Sequence, residues 1–310
     1  MAVALAPSPT LAGRDLLAIG DLRSEELVEL LDLAAHLKRL QHDRVPHRLL
    51  PDRTLAMIFQ KASTRTRVSF EVGITQLGGT AVVLAAGDMQ LGRGESIEDT
   101  GIVLSRYVDG IMIRAGAHRD VEMLAAAAEV PVINGLTDMH HPCQALADVL
   151  TLRERLGSLE GRRLAWVGDG CNNVCHSLIT AAGMVGMRVT VAAPLGFEPD
   201  PGVVSAAGDV TLVEDPAEAV AGADAIATDV WTSMGQEAER DQRIANLGPY
   251  QVNERLLAHA GCAPVILHCL PAHYGEEITR EVLHGPLSAA WDEAENRLHA
   301  QKALMAMVMA

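Results

Sequence analysis

The chain has 310 residues, of which 49% are hydrophobic and 21% are charged. This composition excludes a disordered chain, and the length suffices for one large domain or two ordinary ones. Asp and Glu number 40 against 25 Lys and Arg, and the net charge of −15 argues against a broad nucleic-acid-binding surface, although not against a local basic pocket for a small anion.

Neither the termini nor the cysteines suggest export or membrane insertion. No stretch approaches the roughly 20 apolar residues of a membrane span. The apolar start of the chain lacks the basic region of a signal peptide, and five cysteines, an odd number, are not typical of a disulfide framework. We therefore expect a soluble cytoplasmic protein that binds neither membranes nor nucleic acids.

Hydrophobic periodicity, capping residues and glycine stops predict strands and helices in alternation. In the first half we predict helices at 24–40, 64–77, 97–106 and 119–128, and strands at 54–59, 80–84, 110–114 and 130–134. A helix at 142–156 leads into strands at 163–167, 188–192, 210–213, 225–228 and 265–268, with helices between them. A closing helix is expected within 289–310.

This alternation predicts an α/β fold with two doubly wound parallel-sheet domains. The first domain is expected at residues 1–150, with the C-terminal helix from about residue 290 to 310 packing back on it, and the second at 151–289. In such folds ligands bind at the C-terminal ends of the strands, so we expect an active-site cleft between the domains.

The strongest local signal is the segment Ser63-Thr-Arg-Thr-Arg67, which follows an apolar strand and opens a helix. Ser63 is a plausible N-cap residue, so the free N–H groups of the first turn point outward. Arginines are unfavourable at the positive end of a helix unless an anion binds there, and the donors together suit a phosphate group. The alternative is a solvent-exposed basic turn.

A second segment, His141-Pro-Cys-Gln144, begins the next long helix with a proline in its first turn. His141 and Gln144 are three residues apart and share a helix face, where they can bond a carbonyl or an amide. A structural histidine with satisfied hydrogen bonds is the alternative.

The turn Gly168-Asp-Gly170 follows a strand and partly matches the dinucleotide-binding pattern G-x-G-x-x-G. Asn173 replaces the third glycine, and the next strand is not followed by an acidic residue, which disfavours a nicotinamide cofactor. Cys171, Cys175 and His176 invite a metal site, but no second pair of ligands accompanies them. Buried small cysteines are the favoured interpretation.

Polar groups also follow two later strands, with Asp229 and Ser233 after one and His268-Cys269 at the end of another. Each alone is more often structural. Because the carboxyl ends of parallel strands meet at one edge of a sheet, their combination indicates a functional site.

These segments, in this order and spacing, resemble the ornithine carbamoyltransferase family over nearly the whole chain, from Arg14 to Arg297. Ser-Thr-Arg-Thr-Arg and His-Pro-x-Gln are shared with the wider superfamily, whereas Asp-x-x-x-Ser-Met-Gly and His-Cys-Leu-Pro are the ornithine-type features. The departures are Gln60, where the family often has Glu, and Cys143 in the variable position of His-Pro-x-Gln. Neither departure weakens the resemblance.

The resemblance implies transfer of the carbamoyl group from carbamoyl phosphate to the δ-amine of L-ornithine, in arginine biosynthesis, without metal or cofactor. It implies a homotrimer with shared active sites, in which Gln90 completes the phosphate site of a neighbouring subunit. Asp229 and Cys269 would position the amine and take its proton. Acetylornithine or putrescine as the acceptor, and a non-catalytic regulatory protein on the same fold, remain alternatives.

The resemblance also implies residue roles. The catalytic residues would be Arg65, Arg114, His141, Asp229 and Cys269. The carbamoyl phosphate-binding residues would be Ser63, Thr64, Arg65, Thr66, Gln90, Arg114, His141, Pro142, Cys143, Gln144, Cys269, Leu270 and Arg297. Ornithine would be bound by Asn173, Asp229, Ser233 and Met234.

Overall fold

The computed structural model describes residues 9–85, 87, 89–90, 94–232 and 237–310. The chain divides into two units, each built around one parallel sheet. Unit 1 comprises the described residues up to Ala147 together with Glu295–Ala310, and unit 2 comprises Asp148–Ala294.

The sheet of unit 1 has four strands and that of unit 2 has five. The strands are β1 (Thr54–Phe59), β2 (Thr80–Ala85), β3 (Gly110–Arg114) and β4 (Val132–Leu136) in unit 1, and β5 (Arg163–Val167), β6 (Arg188–Ala192), β7 (Val210–Val213), β8 (Ala225–Thr228) and β9 (Val265–His268) in unit 2. Their orders are β2-β1-β3-β4 and β7-β6-β5-β8-β9, and every pairing is parallel.

Helices connect the strands. They are α1 (Ser24–His42), α2 (Thr64–Gln76), α3 (Ile97–Leu104), α4 (His118–Ala127), α5 (Pro142–Leu156), α6 (Asn173–Met184), α7 (Pro201–Ala207), α8 (Pro216–Val220), α9 (Arg240–Leu247), α10 (Glu254–Leu257), α11 (Arg280–Leu283) and α12 (Ala290–Val308). None of the described helices combines the length and the apolar character needed to cross a bilayer.

The predicted α/β fold with two doubly wound parallel sheets is confirmed. Central strands β1 and β3 are buried almost throughout, as expected for a parallel sheet covered on both faces, whereas the edge strand β2 is half exposed. In unit 1 the apolar side chains of β1 and β3 pack with those of α4, including Val121 and Leu124. Each large side chain so buried contributes about 1.5–3 kcal/mol.

The strand order reverses direction between β1 and β3 in unit 1, and between β5 and β8 in unit 2. At such a switch point, the connections from the two neighbouring strands leave on opposite faces and open a crevice at their carboxyl ends. The turn before α2, Arg114, the Gly168 turn and Asp229 lie at the ends of these central strands, whereas His141 follows the edge strand β4 and Cys269 follows the edge strand β9.

Candidate active site

The site in unit 1 begins where β1 and β3 end side by side. The backbone N–H of Gln60, just after β1, donates to the carbonyl of Arg114 at the end of β3 at 2.9 Å. This bond fixes the start of the Ser-Thr-Arg-Thr-Arg turn next to the side chain of Arg114. The two segments, 51 residues apart in the chain by their numbers, are neighbours because the sheet pairs β1 with β3.

Ser63 caps α2 as predicted. Its backbone is extended, and its hydroxyl accepts from the N–H of Thr66 at 3.3 Å. The first-turn N–H groups of a helix have no partner within the helix, so this end of α2 offers donors to an anion. Thr64 is exposed and Arg65 is half-buried at the same turn.

The two arginines of this segment have different surroundings. Arg67 is exposed, and its Nε lies 3.5 Å from Oε2 of Glu71 one turn further along α2. Arg65 faces His141 closely enough to affect its pKa. The structure thus assigns Arg65, and not Arg67, to the group of side chains around His141.

Arg297 on α12 ties these segments together from inside the protein. It is buried, its Nη1 donates to Oε1 of Gln144 at 2.7 Å, and its Nη2 donates to the hydroxyl of Thr66 at 2.9 Å. The same Nη1 lies 3.5 Å from Nε2 of His141. One planar guanidinium therefore holds the starts of α2 and α5 in a fixed relation.

His141 is buried among positive charges. Burial, followed by the charges of Arg297, Arg114 and Arg65, holds the pKa of this imidazole well below its usual value. The ring is therefore neutral at pH 7 and can donate from one nitrogen and accept at the other. Three guanidinium groups around one neutral ring create a positive potential that a bound phosphate would relieve.

The residues that follow His141 at the start of α5 make different contacts. Pro142 opens the helix, as predicted. The thiol of Cys143 is buried and donates to the carbonyl of Asn134 at 3.4 Å, and burial raises its pKa to about 12. Its side chain therefore bonds the protein backbone, which leaves the neighbouring His141 and Gln144 as the polar side chains at the start of the helix.

Gln90 lies apart from this group, exposed in the segment after the edge strand β2. Its carbonyl accepts from the N–H of Glu95 at 3.2 Å.

In unit 2 the site follows the neighbouring strands β8 and β9. Asp229 is buried directly after β8, and both of its carboxylate oxygens accept hydrogen bonds. The thiol of Cys269, directly after β9, donates to Oδ1 at 2.8 Å, and the amide of Asn172 donates to Oδ2 at 2.9 Å. Asn172 also caps α6, so its neighbour Asn173, half-buried, begins that helix beside the carboxylate.

Cys269 is a neutral thiol in this setting. Burial, and then the charge and hydrogen bond of Asp229, raise its pKa well above the usual value. A protonated thiol can donate a hydrogen bond but cannot accept a proton. The raised pKa disfavours a role for Cys269 in taking the proton of the amine, which stays a prediction.

Hydrogen bonds of the His268 side chain stabilise the His-Cys-Leu-Pro turn. Its Nδ1 accepts from the N–H of Leu270 at 2.9 Å, so its proton is on Nε2, which donates to Oε1 of Glu277 at 3.0 Å. Leu270 has a φ of 58°, a left-handed conformation that costs energy for a branched residue and needs such support. His268 and Glu277 thereby fix the backbone on both sides of Cys269.

Sequence reasoning missed a buried ion pair beside Asp229. Arg243 on α9 pairs with the carboxylate of Asp169, which follows β5, and its Nε donates to the carbonyl of Trp231 at 2.5 Å. Burial raises the pKa of Asp169 to about 6, against the opposing effect of Arg243. The pair anchors the chain two residues beyond Asp229. Ser233 and Met234, predicted to bind ornithine, lie outside the described residues.

The cysteine interpretation is partly wrong. Cys175 is buried, but Cys171 is exposed, because it belongs to the loop before α6, where its N–H donates to Oδ1 of Asp169 at 3.0 Å. His176 accepts from the N–H of Asp200 at 3.1 Å through Nε2. Within the described part of the chain, the groups of side chains close enough to hold a metal do not include these cysteines.

Comparison with known proteins matches both halves of the chain. The description "Aspartate/ornithine carbamoyltransferase, carbamoyl-P binding domain" fits residues 14–154, and "Aspartate/ornithine carbamoyltransferase, Asp/Orn binding domain" fits residues 160–308. The chain is 56% identical over 305 residues to the ornithine carbamoyltransferase of Carboxydothermus hydrogenoformans, covering 96% of this chain and 98% of that one. It is 54% identical over 308 residues to the anabolic ornithine carbamoyltransferase of Pyrococcus furiosus, with coverage of 97% and 98%.

Solved structures of ornithine carbamoyltransferases also match this chain. The ornithine carbamoyltransferase structure from Pyrococcus furiosus matches with a TM-score of 0.93 at 54% identity, covering 96% of this chain and 98% of that one. The enzyme from Thermus thermophilus matches with a TM-score of 0.88 at 45% identity, with coverage of 96% and 99%. The family resemblance predicted from the motifs is confirmed.

Proposed function

The chain belongs to the aspartate/ornithine carbamoyltransferase family, and from this we propose that it transfers the carbamoyl group of carbamoyl phosphate to the δ-amine of L-ornithine, giving L-citrulline and phosphate. The observation that carries the proposal is the opposite charge of the two groups of side chains. Unit 1 concentrates guanidinium groups around a neutral His141, and unit 2 presents the carboxylate of Asp229 between two neutral donors.

Unit 1 binds carbamoyl phosphate in this proposal. The phosphate lies at the start of α2, where Ser63, Thr64 and Thr66 supply hydroxyl groups, the first turn supplies N–H donors and Arg65 supplies charge. Arg65, Arg114 and His141 donate to the carbonyl oxygen, and the neutral imidazole acts as a donor without adding charge. Gln144 accepts from the amide of the carbamoyl group with the second lone pair of its oxygen, the first being held by Arg297.

The reaction is direct acyl transfer. The amine attacks the carbonyl carbon, negative charge develops on the carbonyl oxygen, and the bond to the phosphate oxygen breaks. Each preplaced donor to that oxygen is commonly worth about 3–4 kcal/mol in the transition state. The neutral Cys269 thiol argues against a covalent S-carbamoyl intermediate, because the thiolate is the nucleophilic form.

Unit 2 binds ornithine. A primary amine with a pKa near about 10.4 is mostly protonated at neutral pH, so it arrives as an ammonium that a carboxylate attracts. Asp229 holds that group and accepts the proton that must leave before attack, while Cys269 and Asn172 keep the carboxylate oriented. Asn173 and the segment of Ser233 and Met234 supply neutral donors for the α-carboxylate.

We further propose a homotrimer in which Gln90 of one subunit completes the phosphate site of the next, in support of which Gln90 is exposed. Subunits carrying Gln90→Ala and subunits carrying Arg65→Ala, each inactive alone, should regain part of the activity when mixed and reassembled, because some interfaces then pair two intact contributions. Mixed trimers without recovered activity would place each site within one chain.

The physiological role proposed is arginine biosynthesis in the cytoplasm. The high identity to an enzyme named anabolic supports the direction of the pathway, and five free cysteines suit a reducing compartment.

A citrulline assay tests the activity, with ornithine, acetylornithine, putrescine and aspartate offered as acceptors at equal concentration. We expect ornithine to be used with a kcat/KM at least about 100-fold above that of putrescine, because putrescine lacks the α-carboxylate and leaves the donors for that group unpaired. Equal rates with putrescine would overturn the acceptor, and no rate with any amine would overturn carbamoyl transfer.

A further inference from the structure

A second group of ligand-type side chains lies in unit 1 on residues without a role in the proposed reaction. His42 is the last residue of α1, and Glu295 and His299 are one turn apart on the same face of α12. Nε2 of His42 lies 2.9 Å from Oε1 of Glu295, and Nε2 of His299 lies 3.6 Å from that same oxygen. One ligand atom from each residue falls within 4.8 Å of the others.

His299 is the member of this group that needs an explanation. Its side chain is fully buried, yet neither ring nitrogen has a hydrogen-bond partner among the described residues. Its Nε2 lies 3.6 Å from Oε1 of Glu295, which is too far for a hydrogen bond, and a neutral imidazole has a lone pair on one of its two nitrogens. A buried lone pair without a donor costs free energy, whereas a metal ion would use it.

The spacing fits coordination. Two ligands about 2.1 Å from a tetrahedral metal are about 3.4 Å apart, and the two measured separations bracket this value. The third pair, the two imidazoles, stands nearly at right angles, with an interplanar angle of 83°, so the rings can point at one centre without stacking. Two imidazoles and a carboxylate favour a divalent transition ion such as Zn²⁺, and not Mg²⁺ or Ca²⁺, which take oxygen ligands.

We propose that His42, Glu295 and His299 form a binding site for a divalent transition-metal ion of the zinc type that cross-links the end of α1 to α12. A solvent molecule supplies the fourth ligand, since His42 and Glu295 are exposed. The site lies outside the substrate-binding residues, so the proposal does not depend on the acceptor or on the reaction.

Lys38 competes for the same carboxylate. It precedes His42 by one turn on α1, and its Nζ lies 3.7 Å from Oε2 of Glu295 and 2.8 Å from Oδ1 of Asn296. Its charge opposes a second cation nearby, as does that of Lys302 beyond His299. Removing the charge of Lys38 should therefore strengthen metal binding, an effect opposite in sign to that of removing a ligand.

Two of the ligands are exposed, which allows variants that fold. His42→Ala and Glu295→Gln remove one ligand each without opening the core, and His259→Ala removes an exposed histidine of unit 2 that belongs to no described cluster. Calorimetric titration of the full chain with Zn²⁺ should show a site whose affinity falls at least about 100-fold in His42→Ala and in Glu295→Gln. Loss of a partner that only bonds a ligand already lowers metal affinity about 10–100-fold, so loss of a ligand should cost at least as much. His259→Ala should bind as the wild type does, and Lys38→Gln should bind more tightly.

Two other clusters, Asp229 with His268 and Cys269, and His273 with Glu276 and Glu277, can also attract metal ions. They are unchanged in His42→Ala, so the difference in stoichiometry between this variant and the wild type counts only the proposed site. Co²⁺ gives a second distinction, because a sulfur-to-cobalt charge-transfer band arises only at the thiol-containing cluster. The Co²⁺ absorption lost in His42→Ala should lack that band.

Stability supplies a readout independent of titration. A metal that binds only the folded protein raises its melting temperature, so excess Zn²⁺ should raise Tm in the wild type and less in Glu295→Gln. Equal Zn²⁺ stoichiometry and affinity in the wild type, His42→Ala and Glu295→Gln would overturn the proposal. So would weaker binding by Lys38→Gln, because the lysine would then support the site and not oppose it.

Discussion

The side chains grouped in unit 1 are positively charged and those in unit 2 are negatively charged, yet in both units burial keeps one neighbouring group neutral. In unit 1 the guanidinium groups of Arg65, Arg114 and Arg297 surround His141, and in unit 2 the carboxylate of Asp229 faces the thiol of Cys269. Burial lowers the pKa of the histidine and raises that of the cysteine, and in each case the neighbouring charges act in the same direction. Both groups are therefore neutral donors beside strong charges.

The units also differ in how their charged groups are anchored. Arg297 bonds the starts of two helices directly and is itself one of the predicted binding residues. In unit 2 the anchors are separate from the binding residues, with Arg243 and Asp169 behind the chain after Asp229, and His268 and Glu277 behind the turn of Cys269. We therefore expect substitutions in unit 1 to reduce activity most when they remove a charged binding residue. In unit 2, substitution of an anchoring residue that does not itself bind substrate should also change the kinetic constants.

The largest expected effect comes from removing one charge in unit 1. Arg65→Ala should lower kcat/KM at least about 100-fold, because a charged donor to the transition state is lost. Arg67→Ala is the matched control, since Arg67 is exposed and pairs with Glu71, a contact worth about 0.2–1 kcal/mol. Steady-state rates of both folded variants measure the difference. Equal losses would show that the orientation of the two side chains does not separate their roles.

The next effect, in unit 2, concerns the acceptor alone. Asp229→Asn keeps the shape of the side chain but removes the charge that attracts the ammonium, so kcat/KM for ornithine should fall about 10- to 150-fold, as for a buried charged hydrogen bond of about 1.5–3 kcal/mol. Calorimetry should give an unchanged affinity for carbamoyl phosphate. Weakened carbamoyl phosphate binding would mean that the two groups of side chains do not act on separate substrates.

The fold was predictable where local sequence decides it. All five strands of unit 2 have the predicted bounds, because each is a short apolar run between turn residues. The strand predicted at 130–134 instead spans Val132–Leu136. Leu16, more than 100 residues earlier, pairs with this strand, and the register shifts between Ile113 and Arg114. Such non-local pairing leaves no trace in a local pattern.

The site was predictable in its motifs and not in its long-range contacts. That Arg65 and Arg67 face different sides follows from helix geometry, since residues two apart do not share a face. The pairing of Arg243 with Asp169 joins segments 74 residues apart, and that of Arg297 with Thr66 joins segments 231 residues apart. Nothing in a polar helix such as α9 marks the one arginine that is buried.

A smaller effect should follow from the anchor in unit 2. Arg243→Gln leaves Asp169 buried without its cation and loosens the chain after Asp229, so KM for ornithine should rise about 10-fold, the equivalent of about 1.4 kcal/mol, with carbamoyl phosphate affinity unchanged. Arg240→Gln on the same helix is the control, because Arg240 pairs with Glu276 at the surface. If Arg243→Gln lowered only kcat, the pair would not act through ornithine binding.

The smallest effect tests the neutral donor of unit 1 by its pH dependence. The folded pKa of His141 is depressed, so as the pH falls through about 6.5 the unfolded chain takes up a proton there that the folded chain does not. This histidine therefore contributes stability above that pH, and the contribution is lost at up to about 1.4 kcal/mol per pH unit below it.

Nitrogen chemical shifts of the ring, followed by NMR in the ligand-free enzyme, should stay at the values of a neutral imidazole from about pH 8 to about pH 5.5, whereas the urea-unfolded chain should titrate in this range. A ring that titrates near about pH 6.5 in the folded enzyme would mean that the three arginines and burial do not keep it neutral, and the parallel with the neutral thiol of unit 2 would fail.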